Sequence, residues 1–184
     1  MMEHQAVLLG IDVGATSVKA GAFSPDGRLL ALESAPNAPS PQPGGAPEWR
    51  IWDLEDLWSK VCGCTRRLLD GLDGPVEVKG VAASGFGTDG VPLSADGRIL
   101  YPCISWPCAR TVPQAQKSGA ILGARRIYEI TGYHNYPINT LNRLLWLKEN
   151  APGVLESTAY WLHVQDYLVF RLTGEFSTES TIAS

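Results

Sequence analysis

Leu9-Gly10-Ile11-Asp12-Val13-Gly14-Ala15-Thr16-Ser17-Val18-Lys19-Ala20 sets an acid, a close-approach glycine and two hydroxyls in a turn between apolar runs. Val7 to Ile11 reads as a strand buried on both faces, and Val18 to Phe23 resumes the apolar pattern after the polar turn. A carboxylate at the end of a buried strand can orient the waters of a Mg²⁺ ion, and Gly14 lets backbone N–H groups approach phosphate oxygens. Thr16 and Ser17 add hydroxyl donors. If the second strand starts near Thr16, alternation puts Ser17 and Lys19 on one face, with the ammonium leaning toward a phosphate. The same residues also fit an ordinary hairpin in which Asp12 and Gly14 serve only the turn.

Outward from this loop, Asp26-Gly27 is a second turn signal and Arg28 to Glu33 a third strand, which makes a short meander with the acidic loop at one end. The 184 residues, 45% apolar and 18% charged, suit a globular domain, and one domain is the natural count. The formal net charge is -4 and no Lys/Arg cluster is present, so nucleic acid and anionic membranes are poor partners. No apolar run reaches the ~18 residues of a membrane span, and Met-Met-Glu-His-Gln lacks the basic start of a signal peptide, which predicts a cytoplasmic protein. Cys62, Cys64, Cys103 and Cys108 lack metal-site spacing and read as core or pocket-lining thiols. Cys62 and Cys64 fall on different faces of a predicted helix.

Pro36 to Pro47, rich in Pro, Gly, Ser and Ala, reads as a long surface loop leading to Trp49 and Trp52. Asp53 is a plausible N-cap for a helix whose apolar face carries Leu54, Leu57, Trp58, Val61, Leu68 and Leu69. Val76 to Ala83 then makes a strand that ends in the polar, glycine-rich Ser84-Gly85-Phe86-Gly87-Thr88-Asp89-Gly90, and ligands commonly bind at the carboxyl end of such a strand. A strand at Val91 to Leu93, the turn Asp96-Gly97 and the run Ile99 to Trp106, followed by Cys108, Ala109 and Arg110, suggest a pocket wall. An aromatic ring can stack on the apolar face of a sugar while Asp and Arg bond its hydroxyls, which fits a small polyol better than a macromolecule. Core packing accounts equally for Trp106, a surface ion pair for Arg110, and helix capping for Asn139. Asp166 follows the apolar strand Tyr160-Trp161-Leu162 and starts a helix through Tyr167 to Leu172.

The meander resembles the nucleotide-binding core of the sugar kinase, Hsp70 and actin superfamily. Four later segments join it: Ser84 to Gly90; Leu100-Tyr101-Pro102-Cys103-Ile104-Ser105-Trp106 with Arg110-Thr111; Asn139-Thr140-Leu141 before Leu145 to Asn150; and Arg171-Leu172-Thr173-Gly174-Glu175-Phe176. In this order and spacing they are similar to the FGGY carbohydrate kinases, most of all to the L-fuculokinases, with rhamnulokinases and autoinducer-2 kinases more distant. The resemblance covers nearly the whole chain. It implies an α/β protein of the ribonuclease H-like, actin-like ATPase fold, here an incomplete N-terminal domain without the adenosine-binding second domain. It also implies transfer of the ATP γ-phosphoryl group, with Mg²⁺, to the primary hydroxyl at carbon 1 of L-fuculose.

By the resemblance, Asp12, Gly14, Ala15, Thr16, Ser17 and Lys19 belong to the ATP-phosphate region, with Asp12 toward the metal. Gly87, Thr88, Asp89, Trp106, Arg110 and Asn139 belong to the sugar. The family usually has Thr where Ala15 stands and often Arg where Lys19 stands. Lys19 keeps the charge but loses a bidentate fork. The family's catalytic aspartate comes after Ser184, so no residue here matches it, and the end of the chain reads as a truncation within the first domain. Two functions follow as expectations: a sugar kinase represented by its N-terminal portion, inactive as this fragment alone, for L-fuculose or for another ketose (L-rhamnulose, D-ribulose, D-xylulose or autoinducer-2), and a non-catalytic module that binds sugar, nucleotide or a partner subunit. A homo-oligomer or a complementing C-terminal chain is the expected macromolecular partner, because missing strands leave unpaired edges.

Overall fold

The structure is a computed structural model that describes residues 4–182, and the chain divides into two compact units. The first comprises residues up to Ala38 together with Asp53–Phe86, and the second comprises Pro39–Trp52 and Gly87 onward.

In the first unit, strands β1 (Gln5–Val13), β2 (Ser17–Phe23) and β3 (Leu29–Pro36) form the expected antiparallel meander. Asp12 stands opposite Lys19 in its register. The other strands are β4 (Ser40–Pro41) and β5 (Arg50–Trp52), in the second unit, and β6 (Val76–Gly85), which joins the meander parallel to β1 and gives the order β3-β2-β1-β6. Helix α1 (Leu54–Asp70) makes the crossover that a parallel pair requires. Its start is set as the sequence predicts: Asp53 accepts from the N–H groups of Glu55 and Asp56 at 3.0 and 3.1 Å. Cys64 and Leu68 of α1 pack on Leu9, Ala20 and Ala22, all from one face of the sheet. Cys62 is exposed while Cys64 is buried, as helical spacing dictates.

Among the described residues, no helix of this unit covers the opposite face of the sheet. Gly10 and Gly21 let the Phe23 ring lie against the backbone, since a Cβ at either would stand 3.2 or 3.0 Å from that ring. Leu8 and Leu32 on this face are 40% and 56% exposed. Asp12, Lys19 and Ser84 edge an open groove of about 350 Å³ floored by Gly10, Gly21, Phe23 and Leu32.

In the second unit β4, β5 and β8 (Cys103–Ile104) form one small antiparallel sheet, and β7 (Gly90–Leu93) pairs with β9 (Tyr160–His163) in another. A 3-10 turn at Ala109–Thr111 leads into α2 (Val112–Leu122), α3 (Ala124–Thr131), α4 (Thr140–Asn150), α5 (Pro152–Ser157) and α6 (Val164–Thr173). Ile104, Cys108, Trp146 and Leu147 form a buried cluster here, with Trp49, Tyr101 and Trp161 packed on it. Two expectations change in detail. Part of the Pro36–Pro47 segment is strand, as β4, and of the run Ile99–Trp106 only Cys103–Ile104 joins a sheet. Pro102 has no N–H to give a ladder, and before it only Ile99 bridges to Leu93. Helices α2, α3 and α5 are not expected from the sequence.

Asp166 lies at the third position of α6 in a capping box with His163, whose backbone N–H it accepts at 3.3 Å. The His163 ring is buried, with Nδ1 3.4 Å from Asp166 and Nε2 3.3 Å from the Thr140 hydroxyl. Burial outweighs Asp166 and holds the imidazole below its ordinary 6.5. The unfolded chain therefore takes up this proton first as pH falls below 6.5, and stability drops across the window down to the folded value. Thermal melts between pH 7 and 5.5 should show a falling Tm, and His163→Asn should flatten that slope. An equal slope in the variant would assign the proton uptake elsewhere.

Candidate functional site

The acidic loop lies between the carboxyl end of β1 and the start of β2. Its backbone is held from two directions: Gly14 N–H donates to the Ser17 carbonyl at 2.9 Å, and Asn37 spans the turn. The Asn37 side chain donates to Gly14 O at 2.8 Å, and its backbone N–H donates to Thr16 O at 2.9 Å. Lys60 in turn donates to Asn37 Oδ1 at 3.3 Å and pairs with Asp56 at 2.5 Å. Gly14 is favoured by close contact, since a Cβ there would stand 3.1 Å from Ser17 O. Asp12, Thr16 and Lys19 are exposed, while Ala15 and Ser17 are partly so. Among the described residues, neither Asp12 nor Lys19 has a hydrogen-bond or ion-pair partner of its own. Asn37 and Lys60 escaped the sequence reading, because an Asn just after a strand ordinarily signals only a turn.

Around Asp89 the second unit is built differently. The carboxylate is fully buried and both its oxygens are used. Oδ2 accepts from Trp52 Nε1 at 2.6 Å and from the Trp106 backbone N–H at 2.8 Å, and Oδ1 accepts from Arg143 Nη2 at 2.6 Å. Burial pushes the Asp89 carboxyl above its ordinary value, and the Arg143 guanidinium and the N–H donors pull it back toward ionisation. The same surroundings push the buried Cys103 thiol well up. Thr88, next to Asp89, has φ 72°, the only positive φ among described non-glycine residues. For a β-branched side chain that is a strained conformation. Trp106 itself is 45% exposed.

Arg110 lies 4.3 Å over the Trp49 ring and 5.5 Å from that of Trp146. Its Nη1 donates to Gln42 Oε1 at 2.6 Å and to the Tyr101 hydroxyl at 3.4 Å, its Nη2 to Arg50 O at 3.4 Å, and its Nε to Cys108 Sγ at 3.2 Å. Burial raises the Cys108 thiol, but the donors from Arg110 and the Arg50 backbone outweigh it and leave the thiol below its ordinary value. Asn139 sits at the N-cap of α4 without capping it. Its Nδ2 donates to His134 O at 2.8 Å, and its Oδ1 is a buried acceptor with no partner. Gly87 is exposed at the head of the Thr88-Asp89 turn. Arg143 was not singled out in the sequence. Its signal was a cation on the stripe of α4 that buries Trp146 and Leu147.

The meander, its parallel fourth strand and the helix packed on one face have the arrangement of an actin-like ATPase fold. The xylulose kinase of Lactobacillus acidophilus, solved with ligand bound, matches with TM-score 0.86 at 24% identity over 97% of this chain and 35% of its own. The chain belongs to the FGGY family of carbohydrate kinases, whose N-terminal domain matches residues 7–184. It is 37% identical over 179 residues to the L-fuculokinase of Escherichia coli K12, covering 97% of this chain and 38% of that protein. It is 31% identical over 135 residues to the rhamnulokinase of Yersinia pestis (strain Pestoides F), covering 73% of this chain and 27% of that protein. The chain thus spans well under half the length of these relatives. Among the described residues no helix is long and apolar enough to cross a membrane.

Proposed function

We propose that the chain carries the phosphate loop and ketose pocket of a cytoplasmic, ATP-dependent sugar kinase, and that the whole protein phosphorylates L-fuculose on its primary hydroxyl. The observation that carries this reading is Asp12: an exposed carboxylate at the end of a buried strand, unpartnered among the described residues, beside a loop braced by Asn37. An exposed carboxylate at a strand end can hold a Mg²⁺ ion through its waters. These residues fit Mg-ATP. Asp12 would hold the metal through its waters, Gly14, Ala15, Thr16 and Ser17 would offer backbone and hydroxyl donors to the phosphates, and Lys19 would add a positive charge. Bound Mg²⁺ supplies neutralisation of the charge that builds on the phosphates during transfer.

On the sugar side, the exposed Trp106 would stack on the ketose, and Thr88 and Gly87 would meet its hydroxyls; Asn139 Oδ1 is enclosed and would have to open to join them. Asp89 and Arg110, engaged by the protein itself, would fix the pocket's shape and electrostatics. L-Fuculose is preferred over L-rhamnulose or D-xylulose because the similarity to the L-fuculokinase is higher and runs through nearly the whole chain.

Calorimetric titration of the purified chain with Mg-ATP and with L-fuculose, L-rhamnulose, D-ribulose and D-xylulose, alongside a turnover assay, tests this reading. Mg-ATP binding is expected, weakened about tenfold or more by Asp12→Ala, with L-fuculose favoured among the sugars. Binding unchanged in Asp12→Ala would overturn the phosphate-loop assignment, and a preference for another ketose would overturn the substrate.

A further inference from the structure

We infer that Arg143 is a positioning residue which, by clamping Asp89 from α4, fixes the main chain of Trp106 and the strained Thr88 in the sugar pocket. The inference rests on the ketose-pocket reading given above. Arg143 and Asp89 are 54 residues apart in sequence, and both side chains are fully buried. A buried ion pair is a poor source of stability, because desolvating two charges offsets their attraction, so its presence calls for a geometric role. The geometry supplies one. Arg143 is itself aimed by Nε donating to Ile138 O at 3.1 Å, and it occupies Asp89 Oδ1. Oδ2 is then left to gather two donors that come from distant segments, the Trp52 indole and the Trp106 backbone N–H.

The Asp89 main chain is also tied down, because its carbonyl accepts from Val164 N–H at 3.1 Å. With side chain and carbonyl both fixed, the adjacent Thr88 is held at φ 72°, and strained backbone persists only where its surroundings over-determine it. Trp106 is anchored through its N–H and is 45% exposed, so its main-chain position helps to set the platform. Arg143 reaches Thr88 and Trp106 through Asp89, while its Nε holds the Ile138 carbonyl beside Asn139. Lysine, a point charge without the fork, would serve Ile138 O or Asp89 but not both in the same geometry.

The test compares the full chain with Arg143→Lys by NMR and by ketose calorimetry, the Trp106 amide being assigned with Trp106→Phe. In the wild type the Trp106 amide should be strongly protected from hydrogen exchange, and the Arg143 guanidinium should give resolved, slowly exchanging Nη signals. Arg143→Lys should keep the wild-type circular dichroism, speed Trp106 amide exchange about tenfold or more, and weaken ketose binding about tenfold, with Mg-ATP affinity unchanged. A folded Arg143→Lys protein with unaltered Trp106 exchange or unaltered ketose affinity would overturn the inference. Should that variant not fold, the wild-type signals decide: rapidly averaged Nη protons or an unprotected Trp106 amide overturn the clamp, and slow signals support it. A wild-type chain that binds no ketose would sink the functional reading alone, since the amide and guanidinium signals still judge the clamp.

Discussion

Asp89→Ala is expected to destabilise the second unit by about 3–5 kcal/mol, because it leaves the Arg143 guanidinium buried without its counter-charge. The loss reaches further than one pair. Trp52 Nε1, in a buried bond, and the part-buried Trp106 N–H lose this acceptor in the same step, which adds to the cost. Set against a typical domain stability of about 5–15 kcal/mol, the change should be plain in a urea titration. Asp89→Asn should recover only part of it, since the amide keeps one acceptor oxygen but turns N–H donors toward a cation. A cost below about 1 kcal/mol for Asp89→Ala would mean that the pair is not formed in solution.

The second large effect falls on the neighbouring residue. In the β7–β9 ladder Gly90 faces His163, and a Cβ on it would stand 2.3 Å from Trp161 Nε1, 2.6 Å from Cε2 of the same ring and 3.0 Å from Leu162 O. One obstacle is strand backbone and the other a bulky indole, so neither yields cheaply. Gly90→Ala should cost about 3 kcal/mol or more, at the upper end of overpacking effects. Gly153→Ala, at a position where nothing lies within 4 Å of the added atom, is the control and should be neutral or slightly stabilising. Equal melting temperatures for the two variants would show that the ladder relaxes around the methyl group.

These two positions also mark the limit of reading a glycine-rich loop by its composition. Ser84 to Gly90 looked like a ligand loop throughout, with Asp89 its natural hydroxyl acceptor. The structure ties both oxygens of Asp89 to the protein, and leaves the Trp106 ring and Asn139 Oδ1 as the groups with capacity to spare. Nothing local in Gly87-Thr88-Asp89-Gly90 distinguishes a carboxylate that faces a ligand from one that faces an arginine.

The sequence by itself determined what depends on near neighbours. The apolar runs on either side of Asp12 to Thr16, the Asp26-Gly27 turn and the Asp53 cap settled the meander and the start of α1, since turn chemistry and capping act within a few residues. Strand β1, however, is buried on one face only and not on both as expected, because α1 covers one side and Leu8 on the other is 40% exposed. The ordered motifs from Ser84 to Phe176 carried the family. Only the tertiary structure decided which charges are buried and against what. Arg110 meets Gln42, Trp49, Arg50, Tyr101 and Trp146, Asn37 reaches back to Gly14, and Arg143 reaches Asp89, all across segments with no shared local pattern. The state of a buried charge depends on the groups that remote chain segments bring to it, and no window along the sequence contains both partners.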